Sequence, residues 1–206
     1  ATVATHLREE GAVLFRGFQI DTQQRFQALL AGVGAGLGDF RGGDSPRSNL
    51  GDGVYTSTEY PPEFFISLHN ELSYSTWWPT HLWFCCVSEP SEGGETPLAD
   101  SRAVLRDLGA ALVGTFRAKG VRYVRNLHGG RGYGPSWQQT YSTSDRGEVD
   151  RFLSESGIDG QWHGDGLRLS QVRPATAFHR VTADEVWFNQ ADQFHPSTHP
   201  PQIREA

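Results

Sequence analysis

The sequence predicts an α+β domain with a mainly antiparallel β core, a jelly roll or related barrel. Three observations predict it. Short apolar or alternating runs recur along the chain, helical spacing is confined to a few segments between them, and no internal repeat or low-complexity segment is present. A length of 206 residues suits one domain, 1–206, with a substantial core, and the 12% of aromatic residues, including six Trp, supply material for it.

Taken in order, residues 2–10 read as a short helix ended by Gly11, and residues 12–18 (AVLFRGF) as a buried strand. Asp21 is placed to cap a helix whose apolar positions Phe26, Leu29, Leu30 and Val33 recur at helical spacing. Residues 42–53 have loop composition. Val54 to Thr58 reads as a strand, Pro61-Pro62 as a break, and Phe64 to Tyr74 as a strand with its exit. His81 to Val87 is a nearly unbroken apolar run, expected to be a strand buried on both faces. A helix capped near Asp100 or Ser101 then buries Val104, Leu105 and Leu108. A second helix, Ala110 to Lys119, stops at Gly120. Val121 to Leu127 alternates as a strand should, with Arg122 on one face and Tyr123 and Arg125 on the other. The glycines at 130, 132 and 134 lack the spacing of a dinucleotide fingerprint and read as a flexible pocket wall. Asp145 to Ser156 is an amphipathic helix, and 167–172, 176–179 and 185–189 are short strands.

A formal net charge of -6 without a basic run argues against nucleic acid or an anionic membrane as the main partner. No apolar run is long enough to span a bilayer and no secretory signal is visible, so the expected location is the cytoplasm. Cys85 and Cys86 are adjacent, where a mutual disulfide would be strained, and are expected to stay reduced. The chain has no Met, so Ala1 is not expected to be the native start.

The chemistry centres on His69-Asn70-Glu71. On a strand, side chains two apart leave the same face, so this imidazole and carboxylate can converge on one metal ion. A second histidine from elsewhere would complete a 2-His-1-carboxylate face. Spacing alone is weak, since chance places an acid two residues after a histidine about once in such a chain, and a satisfied polar pair is the other reading. A second such pair, His163-Gly164-Asp165, sits in a hairpin-turn context and reads as a polar turn. His81 reads as structural.

The motifs AVLFRGF (12–18), HNELSYS (69–75), PxxLWFCC (79–86), EGGETPLADSR (92–102), KGVRYVRN (119–126), LRLSQVRPA (167–175) and VWFNQADQFH (186–195) extend over nearly the whole chain. Together, and in this order, they resemble the iron(II)/2-oxoglutarate-dependent dioxygenases of the taurine dioxygenase superfamily, in the clavaminate synthase-like and syringomycin-type hydroxylase branch. The resemblance implies a double-stranded β-helix, a jelly-roll variant with flanking helices. It implies Fe(II) held by His69 and Glu71, and 2-oxoglutarate as co-substrate, its chain held in part by the Thr96 hydroxyl. It further implies hydroxylation of an unactivated C–H bond coupled to conversion of 2-oxoglutarate to succinate and carbon dioxide. Substrates in this branch are commonly amino acids, free or tethered to a carrier protein, in natural-product biosynthesis. Arg122, Arg125 and Arg131 are candidates for a substrate carboxylate, with plain surface charge as the other reading.

The family pattern continues past a segment like 186–195 to a distal histidine and an arginine that grips 2-oxoglutarate. Neither is found here, and His179, His195 and His199 align with non-ligand positions. The expectation is therefore a C-terminally incomplete domain short of its last strands, or a chain that lacks both groups, and inactive alone in either case. The rival readings are a non-catalytic jelly-roll binding protein with a degenerate metal site, and a sulfonate or betaine dioxygenase. No H-E-x-x-H or nucleophile elbow favours a hydrolase. Oligomeric state is open.

Overall fold

Local signals place the helices. The computed structural model describes residues 2–38, 43, 47–59, 65–132 and 134–198. Helix α1 spans Thr2–Glu10, and α2 spans Gln23–Gly32, capped by Thr22, one residue later than Asp21, with the Thr22 hydroxyl accepting from the Arg25 amide. Helix α3 (Ser101–Asp107) is capped by Asp100, and α4 (Ala110–Lys119) ends at Gly120. A short α5 (Trp137–Tyr141), not anticipated, starts on a capping box in which Ser136 and Gln139 satisfy each other's backbone amides. Helix α6 (Arg146–Glu155) is capped by Asp145 and buries Val149 and Leu153.

The strands form three antiparallel sheets. Strands β1 (Asn49–Gly51), in what reads as loop, and β2 (Val54–Tyr55), the start of the expected strand at 54–58, make a small hairpin. Strands β3 (Val121–Leu127), β4 (Asp159–His163) and β5 (Gly166–Arg173) form the main sheet in the order β3-β5-β4. Strands β6 (Thr176–Phe178) and β7 (Glu185–Trp187) pair separately. The chain thus has a mixed α and β architecture with antiparallel sheets, and among the described residues these do not close into a barrel.

The main sheet carries the core on one face. Along β3 burial alternates strictly, and the inward Val121, Tyr123, Arg125 and Leu127 stand opposite Arg173, Gln171, Leu169 and Leu167 of β5. At one end Leu127, Leu167 and Leu169 pack under Trp137, Tyr141, Val149 and Leu153 of α5 and α6. At the other end Val121 and Tyr123 pack with Leu72, Tyr74 and Ala175, backed by Phe116 and Phe194. This second cluster fixes residues 72–74 against the sheet.

Among the described residues three expected strands are absent. Residues 12–18 and 81–87 are irregular, and Leu14, Phe18, Leu82 and Phe84 are each more than half exposed. Residues 65–70 are irregular too, and 71–74 form a turn; Pro61, Pro62 and Phe64 lie outside the described residues. A strand exists only where a partner takes its backbone hydrogen bonds, and none of the described residues pairs with these segments. The unanticipated β4 arises in the opposite way. Gly164-Asp165, within the stretch that reads as a polar turn, forms a two-residue turn with Gly164 at φ +59, and this brings His163 opposite Gly166.

Gly120 shows how tightly the sheet and α4 meet. Its φ of +69 and ψ of -168 form a conformation open essentially to glycine alone, and an added Cβ would lie 2.8 Å from the Arg173 carbonyl oxygen. Gly120→Ala is expected to destabilise the fold by about 1–3 kcal/mol in urea unfolding. No helix among the described residues is long and apolar enough to cross a membrane.

Candidate metal centre

His69 and Glu71 converge, but by a turn rather than by a pleat. After residues 65–70 the chain reverses through Glu71 to Tyr74, with the Ser73 amide donating to the Asn70 carbonyl at 3.1 Å and the Ser75 amide to Leu72 at 2.8 Å. Leu72 takes φ +53, a left-handed conformation uncommon outside glycine, and its side chain is buried in the core beside Tyr123. The turn therefore faces one way and its apolar anchor the other. His69 Nε2 and Glu71 Oε2 stand 3.5 Å apart.

Each side chain is oriented by a neighbour. His69 Nδ1 lies 2.9 Å from the Ser67 carbonyl, which can only accept, so Nδ1 carries a proton and Nε2 is the atom left to face Glu71. Glu71 Oε1 accepts from Arg47 at 3.3 Å, leaving Oε2 for His69. Donation to the Glu71 carboxylate raises the His69 pKa above the ordinary value, against the opposing effect of burial. Burial pushes the Glu71 carboxyl up, yet the His69 hydrogen bond and the Arg47 charge together carry it below the usual carboxylate range. Both shifts favour the charged forms of the pair.

These are also the atoms that fit a divalent ion. Two donors each about 2.1 Å from a metal and about 90° apart are separated by about 3 Å, close to the 3.5 Å seen here. An imidazole whose other nitrogen donates to a backbone carbonyl has the orientation common among histidine metal ligands. Among the described residues no third His, Cys, Asp or Glu joins the pair. His81, His179 and His195 bond to neighbours close in sequence, at Thr80, Thr182 and Ser197; His199 lies outside the described residues.

The middle residue of the motif, Asn70, does more than separate the ligands. Its amide nitrogen donates to the Trp187 carbonyl at 3.1 Å and toward that of Asn189 at 3.4 Å, while its oxygen accepts from the Ser101 hydroxyl at 3.1 Å. One side chain so joins the ligand turn to the end of β7 and the start of α3. No local pattern marks it, because outside a pleated strand the sequence does not fix where the middle side chain of three points. Arg47, in a stretch that reads as loop, is likewise unmarked. Asn70→Ala is expected to lower metal affinity about 10–100-fold with His69 and Glu71 intact, measurable by anaerobic Fe(II) titration.

The remaining candidates are dispersed. Thr96 is exposed in an irregular segment. Arg122 points outward from β3, whereas Arg125 is buried on the inward face, 5.6 Å from the Tyr74 ring centre and donating toward the Gly43 carbonyl at 3.4 Å. Arg131 is exposed in the glycine-rich loop after β3.

Comparison with known proteins decides the family. The family described as "Taurine catabolism dioxygenase TauD, TfdA family" matches residues 1–205. The chain belongs to the TauD/TfdA family. It is 37% identical to the dapdiamide synthesis protein DdaC of Enterobacter agglomerans over 201 residues, 97% of this chain and 60% of that protein. It is 31% identical to a clavaminate synthase-like protein of Arabidopsis thaliana over 194 residues, 89% of this chain and 58% of that protein. The chain therefore spans about 60% of the length of these relatives. Enzymes of the TauD/TfdA family use Fe(II) and 2-oxoglutarate, and the donor set at His69 and Glu71 suits that metal.

Proposed function

We propose that this TauD/TfdA chain is the iron-binding part of an Fe(II)/2-oxoglutarate-dependent oxygenase that hydroxylates an amino acid, free or carrier-tethered, in natural-product biosynthesis. The carrying observation is the convergence of His69 Nε2 and Glu71 Oε2, each with its other polar atom already engaged. Support for the substrate class comes from the likeness to a dapdiamide synthesis protein. The family implies a jelly-roll core, and we assign the antiparallel sheets to it. Iron, when bound, would supply the oxidising chemistry that side chains lack. The protein's part is to hold it with His69 and Glu71, to lock their orientation through Ser67 and Arg47, and to seat the turn through Asn70. We assign Thr96 to 2-oxoglutarate; Arg122, Arg125 and Arg131, which stand on opposite faces of β3 and in the loop after it, are alternative candidates for the substrate carboxylate.

The test is succinate release from 2-oxoglutarate by the intact protein with Fe(II), using a panel of amino acids against taurine. Turnover stimulated by an amino acid and lost in His69→Ala is expected. Stimulation by taurine alone would move the reading to sulfonate oxidation. Absence of both turnover and iron binding would make the protein a non-catalytic binding domain.

A further inference from the structure

The segment that bears His69 is held by side chains from far along the chain. Among the described residues, 65–70 donate no backbone–backbone hydrogen bond, so no ladder fixes the Ser67 carbonyl that accepts from His69 Nδ1. Residues just after β7 take that role. The Gln193 amide nitrogen donates toward the same Ser67 carbonyl at 3.4 Å, and the Ser67 hydroxyl donates to Asp192 Oδ2 at 3.1 Å. On the other side of His69, the Asn70 amide donates to the Trp187 carbonyl and toward that of Asn189. The 187–193 segment thus grips the residue two before the histidine and the residue after it, through contacts 117 to 126 positions apart along the chain.

The grip is anchored in the core. Residues 191–194 form a turn in which the Phe194 amide donates to the Gln190 carbonyl at 3.2 Å. The Phe194 ring packs on Tyr123 and Tyr74, at 4.9 and 5.3 Å between centres, and the Gln190 amide donates to the Tyr123 hydroxyl at 2.9 Å. The buried Asn189 side chain donates to the Ala175 carbonyl at 2.8 Å and accepts from the Ala191 amide at 3.0 Å. Asp192 and Gln193 therefore stand on a turn tied to the main sheet, whereas Ser67 lies in irregular chain.

This arrangement bears on the proton of His69. Two acceptors flank the neutral ring, the Ser67 carbonyl at 2.9 Å from Nδ1 and the Glu71 carboxylate at 3.5 Å from Nε2. A metal at Nε2 requires the proton on Nδ1, and so requires the carbonyl to stay where it is. A carbonyl oxygen has two lone pairs, so Ser67 can receive Gln193 and His69 together. Were the carbonyl free to turn away, nothing would hold the proton on Nδ1, and Nε2 would donate to Glu71 instead of offering its lone pair.

We infer that Gln193, assisted by Asp192, is a positioning residue of the metal centre, fixing the Ser67 carbonyl so that His69 presents Nε2 to the ion. The inference rests on the reading of His69 as a ligand. The test uses the whole chain with Zn(II) as a redox-inactive probe, measuring its affinity and, by NMR, the solvent exchange of the His69 Nδ1–H in the loaded protein. Gln193→Met keeps the size of the side chain and removes the donor. It should weaken Zn(II) by about 3–10-fold and speed Nδ1–H exchange by a similar factor, with an unchanged circular dichroism spectrum. Ser67→Ala should weaken Zn(II) by roughly 2–5-fold, whereas Asp192→Asn, which can still accept from the Ser67 hydroxyl, should match the wild type. A folded Gln193→Met with wild-type affinity and exchange would overturn the inference, as would lost affinity with unaltered Nδ1–H exchange, since Gln193 would then not act through the carbonyl. Should Zn(II) leave the His69 signals of the wild-type protein unmoved, the ligand reading itself would fall, an outcome distinct from both.

Discussion

His69→Ala is expected to reduce Fe(II) affinity by more than the 10–100-fold that follows loss of a ligand's supporting partner. The side chain contributes one of the two donor atoms placed together here, and no His, Cys, Asp or Glu among the described residues stands ready to replace it. Its structural role is modest, a hydrogen bond to the Ser67 carbonyl and the pairing with Glu71, which keeps Arg47 as a partner, so folding should suffer by only about 1–2 kcal/mol. Anaerobic Fe(II) titration beside circular dichroism separates the two effects. Glu71→Gln should lose iron as well, but at greater cost to the fold, because it replaces a charged partner of the largely buried Arg47 guanidinium by a neutral one. Unchanged iron affinity in both variants would remove the metal centre from this turn.

Tyr123→Ala should produce the largest loss of stability, about 3–5 kcal/mol by urea unfolding. Tyr123 is 1% exposed and lies at the middle of the second core cluster, its ring 4.9 Å from Phe194 and 6.0 Å from Tyr74 between centres. Its hydroxyl accepts from the buried Gln190 amide at 2.9 Å. Tyr123→Phe should therefore cost about 1–3 kcal/mol, mostly for the amide left unsatisfied. Because Leu72 and Tyr74 rest on Tyr123, the alanine variant should also lose iron affinity while both ligands remain. A variant that unfolded more easily yet bound iron normally would show that the turn holds its shape without the sheet.

Much of the fold is legible where the determinants are local. Asp100 and Asp145 mark helix starts, Gly120 marks a stop, and the alternation from Val121 to Leu127 gives both the strand and its inward face. Apolar runs mislead where they speak only of burial. Residues 12–18 and 81–87 have the composition of strands and none of the pairing, while the polar DGQWH of β4 pairs because a tight turn delivers it to β5. The closed barrel expected from the short strands is likewise a matter of pairing, and the described sheets remain separate.

For the site, the sequence by itself determined the candidate pair, its spacing and the family, because an imidazole and a carboxylate two residues apart carry their chemistry wherever the backbone takes them. Tertiary structure alone decided how they meet. The pleat that would have aligned them is absent, and the turn that replaces it depends on Leu72 in the core, Asn70 on the 187–189 carbonyls and Arg47 on Glu71. Those contacts join residues 24 to 119 positions apart along the chain, beyond the reach of any local pattern.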